Sequence, residues 1–151
     1  SFIGLPGRQQ ILGEIEGVLY VNDTTATSPE GVMAALKRFG NGGNILLIAG
    51  GSSKGLAFDE LAKHIRRECR VVTLFDGTAY EDFSRAIGSG MPVKRVGSMN
   101  EAMSVVAAEA TLGDVVLLSP GTSSFGIFRN EFDRGDQFLA AVEQIKKKAR
   151  V

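Results

Sequence analysis

Three short segments of this chain collect residues that can bind an anion or a sugar hydroxyl. Residues 22–27 (NDTTAT) offer the carboxylate of Asp23 beside three threonines, and residues 50–54 (GGSSK) offer glycine N–H groups beside the Lys54 ammonium. Residues 119–124 (SPGTSS) offer a run of hydroxyls that ends at Ser124. N–H, hydroxyl and ammonium groups donate to carboxylate or phosphate oxygens, and a carboxylate can accept from a ribose hydroxyl. The three segments therefore indicate binding and positioning of an anionic small molecule.

Each segment also has a plainer interpretation on local chemistry alone. Asp23 and its threonines could satisfy a turn and the start of the next helix, and Lys54 could lie exposed in an ordinary strand-to-helix connection. Covalent catalysis finds little support, because His64, the one histidine, lies in a helical pattern and forms no triad motif with Ser124. The glycine segment lacks the order of a Walker A loop and of a dinucleotide fingerprint, so it suits a carboxylate or a single phosphate. No spacing of histidine and cysteine predicts a metal site.

The segments follow elements that must bring them together. Short apolar or β-branched runs alternate with helical periodicity, which predicts an α/β fold: a Rossmann-like three-layer domain with a mostly parallel sheet and helices on both faces. Ligands of such sheets bind beyond the carboxyl ends of the strands, where all three segments are expected. The predicted strands are 18–22, 44–49, 71–75, 93–96 and 115–118, and the predicted helices are 29–39, 58–68, 79–87, 98–110 and 137–148.

Composition narrows the classes of function. The 151 residues carry 17 Lys+Arg and 17 Asp+Glu, and this balance does not favour a nucleic-acid partner. The single cysteine, Cys69, favours a reducing, cytoplasmic location, and no signal peptide or membrane-spanning run is predicted. The chain opens without a methionine on a Gly/Pro-rich stretch, so we expect a domain of a longer protein.

Four motifs in order resemble those of the C-terminal domain of the Mur ligases, most closely the D-glutamate-adding branch. Residues 4–8 (GLPGR) resemble the family's Gly-Leu-Pro-His-Arg motif, and residues 21–27 resemble its Ile-Asn-Asp-Ser-Lys-Ala-Thr segment. Gly50-Gly51 with Lys54 resembles its Gly-Gly-x-x-Lys loop. Residues 118–135 resemble its Leu-Ser-Pro and Phe-Lys-Asn-Phe-Glu-x-Arg-Gly block. The resemblance covers nearly the whole chain and divides it into a leading segment or linker, 1–17, and the C-terminal domain, 18–151.

The resemblance implies a fragment of an ATP- and Mg²⁺-dependent ligase of peptidoglycan synthesis, which adds D-glutamate to UDP-N-acetylmuramoyl-L-alanine. The missing N-terminal and central domains would be its partners. The central domain would supply the P-loop and the magnesium ligands, so no catalytic residue is assigned here. Arg8 and Asp23 would contact ATP, Asp23 through the ribose. Four positions would hold the amino acid's carboxylates. Arg134 matches a functionally important arginine and would be a fifth substrate-binding residue. The four positions are Thr27, Lys54, Ser124 and the backbone near Glu131.

Three departures from the family pattern leave the amino acid open. Gly7 replaces a histidine, Thr25 stands where lysine is usual, and Glu131-Phe132 replaces Phe-Glu. The diaminopimelate-adding branch is disfavoured because its Asp-Asn-Pro-Arg motif is missing. The alternatives are a Mur ligase domain for another amino acid, a free-standing nucleotide-binding domain and a scaffold α/β domain.

Overall fold

The strand Ile45–Ala49 shows how the chain builds its sheet. All five residues are buried, as expected of a strand whose sheet is covered by helices on both faces. Successive side chains of a strand point to opposite faces. Ile45 and Leu47 accordingly pack into one hydrophobic core, and Leu46 and Ile48 pack into the other.

The computed structural model describes residues 3–53 and 55–149. Its elements in chain order are β1 (Ile3–Leu5), β2 (Arg8–Ile15), β3 (Val18–Asn22), α1 (Pro29–Phe39), β4 (Ile45–Ala49), α2 (Asp59–Glu68), β5 (Cys69–Phe75), α3 (Tyr80–Ile87), β6 (Val93–Val96), α4 (Met99–Glu109), β7 (Val115–Leu118) and α5 (Glu131–Ala149). The strands form one sheet in the order β1-β2-β3-β7-β4-β5-β6. The strands β3, β7, β4, β5 and β6 are parallel to their neighbours in this group. β1 pairs antiparallel with β2, and β2 pairs antiparallel with β3.

The helices form two layers on opposite faces of the sheet. Val32 of α1, Leu61 of α2 and Phe83 of α3 belong to the core on one face. Val106 of α4 and Phe138 of α5 belong to the core on the other face. The predicted three-layer, mostly parallel α/β architecture is therefore confirmed.

The sequence predicted no strand before Val18, and the structure adds two. β2 pairs with β3 from Gln10↔Asn22 to Ile15↔Val18, so the described part of residues 1–17 is hydrogen-bonded into the sheet. A bulge interrupts this pairing between Ile11 and Gly13, and Gly13 has a φ of +138°. The bulge shifts the alternation of buried and exposed residues, which hides the strand from a period-two search.

Two helices begin where the sequence predicted, and the last helix begins earlier than predicted. Ser28 caps α1 by accepting from the N–H of Gly31, and Ser98 caps α4 by accepting from the N–H of Glu101, as their positions predicted. The last helix begins at Glu131, six residues before its predicted start. Gly135 lies inside it and weakens its helical signal, and a Cβ there would lie 2.7 Å from Cγ2 of Thr24. The glycine is thus explained by close packing of α5 on the segment after β3.

Candidate functional site

The three predicted segments meet at one edge of the sheet. β3, β7 and β4 are parallel neighbours, so residues 22–27, 119–124 and 50–53 leave the sheet side by side. Gly50 donates its N–H to the carbonyl of Pro120 at 2.9 Å. Ser52 and Ser123 exchange two backbone hydrogen bonds of 3.0 Å, and a Cβ on Gly51 would lie 2.3 Å from the Ser123 carbonyl oxygen. The segments therefore form one connected surface, while Lys54 lies outside the described residues.

Asp23 is a buried carboxylate at the centre of this edge, only 3% exposed. Its Oδ2 accepts from the hydroxyl of Ser119 at 2.7 Å, and its Oδ1 accepts from the N–H of Gln9 at 2.9 Å. Burial raises the pKa of Asp23 above its ordinary value, although these two hydrogen bonds and the nearby Arg8 act in the opposite direction. Asp23 thus joins the start of β2 to the residue that follows β7, and each oxygen can still accept a further hydrogen bond.

The turn before Arg8, residues 6–7, packs on the segment that follows β3. The carbonyl of Gly7 accepts from both the N–H (3.0 Å) and the hydroxyl (2.8 Å) of Thr25. Gly7 has a φ of +75°, and a Cβ there would lie 3.2 Å from Cγ2 of Thr25. Two of the three departures from the family pattern are therefore in direct contact with each other. Arg8 itself is exposed at this rim.

Arg134 is fully buried and reaches two of the strand exits. Its guanidinium donates to Oγ1 (2.9 Å) and to the carbonyl oxygen (2.6 Å) of Thr24, and to the carbonyl oxygen of Thr122 (3.3 Å). Burial lowers the pKa of Arg134 to about 10, with Glu131 opposing the shift. No carboxylate of the described residues forms an ion pair with it. In the structure Arg134 therefore links the two loops from within.

A cleft of about 350 Å³ opens between these loops and the start of α5. Thr27, Ser124 and Glu131, three of the predicted amino-acid-binding positions, all line it. Thr27 precedes the first turn of α1, and Glu131 opens α5, so two helix N-termini border the cleft. N-terminal N–H groups and the helix dipole favour an anion. The remaining lining residues are Ser123, Phe125, Arg129 and Asn130.

Two features fix the walls of the cleft. The carbonyl of Glu131 accepts from the hydroxyl of Thr24 at 2.7 Å, so the start of α5 is tied to the end of β3. Asn130 caps α5, since its Oδ1 accepts from the N–H of Asp133 at 2.8 Å. The hydroxyl of Ser124 has no hydrogen-bond partner among the described residues, which leaves it available to a ligand.

The sequence did not identify a fourth segment at this edge, the exit of β5. Asp76, Gly77 and Thr78 follow β5, and the Thr78 hydroxyl lies 3.1 Å from Oγ of Ser52. A Cβ on Gly77 would lie 2.2 Å from the carbonyl oxygen of Gly51. The position of these residues after a predicted buried strand was the signal that could have revealed them.

Two searches of the described residues bear on cofactors and membranes. No group of three or more His, Cys, Asp or Glu side chains in this part of the chain could hold a metal ion. Among the helices in residues 3–53 and 55–149, none is long and apolar enough to cross a membrane.

Fold and site together define a mostly parallel α/β domain with a cleft at the carboxyl ends of its strands. Residues 7–122 match the model of the family described as Mur ligase, glutamate ligase domain, and the chain belongs to this family. It is 46% identical over 147 residues to the UDP-N-acetylmuramoylalanine–D-glutamate ligase of Roseiflexus sp. strain RS-1, which covers 95% of this chain and 31% of that protein. The ligase of the same name from Pseudomonas fluorescens strain Pf-5 is 42% identical over 96% of this chain and 33% of its own. The chain thus spans about a third of the curated relatives it matches.

Solved structures show the same fold. The MurF ligase of Thermotoga maritima in complex with ADP superposes with a TM-score of 0.64 at 23% identity, covering 96% of this chain and 32% of that one. A bifunctional folylpolyglutamate synthase/dihydrofolate synthase of Yersinia pestis, complexed with AMPPNP and a Mn ion, gives a TM-score of 0.63 at 16% identity. It covers 93% of this chain and 32% of that one.

Proposed function

We propose that this chain is the C-terminal domain of a cytoplasmic UDP-N-acetylmuramoylalanine–D-glutamate ligase of peptidoglycan synthesis, and that it binds the incoming amino acid. The observation that carries the proposal is the convergence of Thr27, Ser124 and Glu131 on one cleft. Thr27 is far from Ser124 and Glu131 in sequence, and the resemblance implies a contact with the amino acid at each of the three positions. The curated relatives of the same name support the identity of the amino acid as D-glutamate.

The chemistry of the cleft suits an amino acid with two carboxylates. Its volume falls within the usual range for small-molecule sites, about 300–1,000 Å³. The free Ser124 hydroxyl and the Thr27 hydroxyl can donate to carboxylate oxygens, and the guanidinium of Arg129 adds a cation at the rim. Lys54, which follows Ser53 in the loop after β4, would add a second cation. The domain's share of the reaction is to orient the amine toward the activated carboxylate of the UDP-linked substrate.

The edge formed by Arg8 and Asp23 suits part of a nucleotide. Arg8 is an exposed cation, and Asp23 is a carboxylate with acceptor capacity left on both oxygens. We infer that Arg8 contacts ATP and that Asp23 accepts from a ribose hydroxyl. The described residues contain no cluster suited to Mg²⁺. The resemblance assigns the magnesium ligands and the phosphate-binding loop to the central domain, and residues 1–17 would connect this domain to it.

Kinetics of the full-length ligase test the amino-acid site. Ser124→Ala and Lys54→Ala each remove a donor to a carboxylate, and such charge-assisted bonds contribute about 1.5–3 kcal/mol. Each variant is therefore expected to raise the KM for D-glutamate about tenfold to a hundredfold, with the KM for ATP unchanged. Ser104→Ala is the matched control, since that hydroxyl bonds to the carbonyl of Asn100 within α4. A D-glutamate KM that stays constant in both site variants contradicts the assignment.

A second candidate is the same ligation with a different amino acid. Glu131 lines the cleft and is partly exposed, so its carboxylate places a negative charge where the family pattern has phenylalanine. A substrate with a cationic side chain would pair with it. Assaying the full-length enzyme with D-glutamate, L-glutamate, D-aspartate and lysine separates the two, because turnover of lysine in preference to the acidic amino acids favours this candidate.

A further inference from the structure

The exit of β5 packs closely on the glycine loop that follows β4. The carbonyl of Gly51 accepts from the N–H of Ala79 at 3.1 Å. A Cβ on Gly77 would lie 2.2 Å from that carbonyl oxygen, so only glycine permits this approach. The backbone after β5 is therefore a fixed support for the loop after β4.

Thr78 extends this support with its side chain. Its Oγ1 accepts from the N–H of Ser53 at 3.2 Å and lies 3.1 Å from the hydroxyl of Ser52. It also lies 3.4 Å from the carbonyl oxygen of Ser53, to which it can donate. One hydroxyl thus contacts both serines of the loop on the side opposite the cleft wall.

The loop after β4, which Thr78 supports, is hydrogen-bonded to the wall of the cleft. Ser52 pairs with Ser123 through two backbone hydrogen bonds of 3.0 Å, and the Ser123 hydroxyl donates to the carbonyl of Ser52 at 3.3 Å. Ser123 lines the cleft beside Ser124. A continuous chain of contacts therefore runs from Thr78 through Ser52 to the wall that would hold the amino acid, although Thr78 does not line the cleft.

We propose that Thr78 is a positioning residue for the amino-acid site. It holds residues 52–53 in register with Ser123, and so sets the width of the cleft beside Ser124. This inference rests on the proposed function, because it treats the cleft as the site of the incoming amino acid. Its effect belongs to binding of the amino acid and not to binding of ATP, whose contacts are at Arg8 and Asp23.

The test uses three variants of the full-length ligase. Thr78→Val removes the hydroxyl and keeps the shape, Thr78→Ser keeps the hydroxyl, and Thr111→Val makes the same change at the opposite end of the sheet, where the hydroxyl bonds to Asp114. Thr78→Val is expected to raise the KM for D-glutamate about threefold to tenfold, with kcat and the KM for ATP within twofold of wild type. Thr78→Ser and Thr111→Val are expected to match the wild type. The inference is overturned if Thr78→Val leaves the D-glutamate KM unchanged. It is also overturned if Thr78→Val impairs kcat, the KM for D-glutamate and the KM for ATP by the same factor.

Hydrogen exchange separates this inference from the proposed function. The N–H of Ser53 donates to Thr78, so its exchange in the full-length protein should quicken in Thr78→Val and stay slow in Thr78→Ser. Unchanged exchange refutes the positioning role whatever the substrate. If Ser124→Ala raises the KM while Thr78→Val does not, the amino-acid site stands and only the role of Thr78 falls. Gly77→Ala, which forces the two loops apart, is expected to raise the same KM.

Discussion

The buried arginine at the start of α5 permits a stability prediction with a worked magnitude. Arg134→Met keeps a long side chain and removes the donors to Thr24 and Thr122. No backbone N–H of the described residues donates to either of those two carbonyls. Methionine therefore leaves both carbonyls without a donor in a fully buried place.

Two opposing effects set the size of the change. Three hydrogen bonds from a charged donor contribute about 1.5–3 kcal/mol each, or roughly 5–9 kcal/mol together. Methionine also removes a buried cation, and the depression of the Arg134 pKa to about 10 puts the cost of that burial at about 3 kcal/mol. The lost hydrogen bonds exceed this relief, so the free energy of unfolding should fall by about 2–6 kcal/mol. For a chain of this size, at about 2–4 °C per kcal/mol, that corresponds to a drop in Tm of about 4–24 °C.

Urea unfolding followed by circular dichroism measures this difference on the 151-residue chain. Arg129→Met is the matched control, because the Arg129 side chain is 87% exposed and its contact with Asp133 is 3.5 Å long. The control should stay within about 0.5 kcal/mol of wild type. If Arg134→Met also stays within about 1 kcal/mol, desolvation of the guanidinium cancels its hydrogen bonds, and the linking role assigned to it is refuted.

Two further predictions concern buried polar groups. The hydroxyl of Thr73 on β5 is fully buried and has no hydrogen-bond partner among the described residues. Thr73→Val should therefore stabilise the chain by about 1–2 kcal/mol. A lower free energy of unfolding in urea would contradict this prediction. The raised pKa of Asp23 means that the folded chain binds this proton more tightly than the unfolded chain, so the contribution of Asp23 to stability is present below pH 3.8 and is lost as pH rises through the folded pKa. Asp23→Asn can still accept from the N–H of Gln9 through Oδ1, and its Nδ2 can donate to the Ser119 hydroxyl. This variant should therefore be more stable than wild type at pH 7, by a margin that shrinks toward pH 4. If the stability difference between Asp23→Asn and wild type instead grows as the pH falls, the predicted direction of the pH dependence is refuted.

The architecture and the position of the site could be predicted from sequence for a simple reason. Parallel strands that are buried on both faces appear in the sequence as unbroken apolar runs such as Ile45–Ala49. The carboxyl ends of parallel neighbours must lie at the same edge of the sheet. Polar residues that follow such runs, including Thr27 and Ser124, are therefore brought together by topology alone. The convergence on one cleft required no knowledge of side-chain contacts.

What the sequence could not provide depends on contacts across the fold. The bulge at Gly13 shifts the pattern of β2, and a bulge is visible only in the pairing with β3. Gly77 and Gly135 look like ordinary turn or helix-weakening glycines until the atoms opposite them are known, Gly51 and Thr24 respectively. The role of Thr78 was hidden likewise, because a threonine after a strand is common and its partners lie 25 residues away or more.

Arg134 shows why residue identity and residue role have to be separated. A match to a functionally important arginine suggested contact with substrate, but every polar contact of its guanidinium in the structure is to Thr24 or Thr122. Any effect of this side chain on ligation would therefore act through the two loops it joins. It follows that Arg134 variants should lose stability and amino-acid affinity together, whereas Ser124→Ala, whose hydroxyl has no partner in the described chain, should lose affinity alone. Measuring unfolding and the D-glutamate KM on the same two variants distinguishes these cases. An Arg134→Met enzyme of unchanged stability with a raised KM would instead indicate direct contact between Arg134 and the substrate.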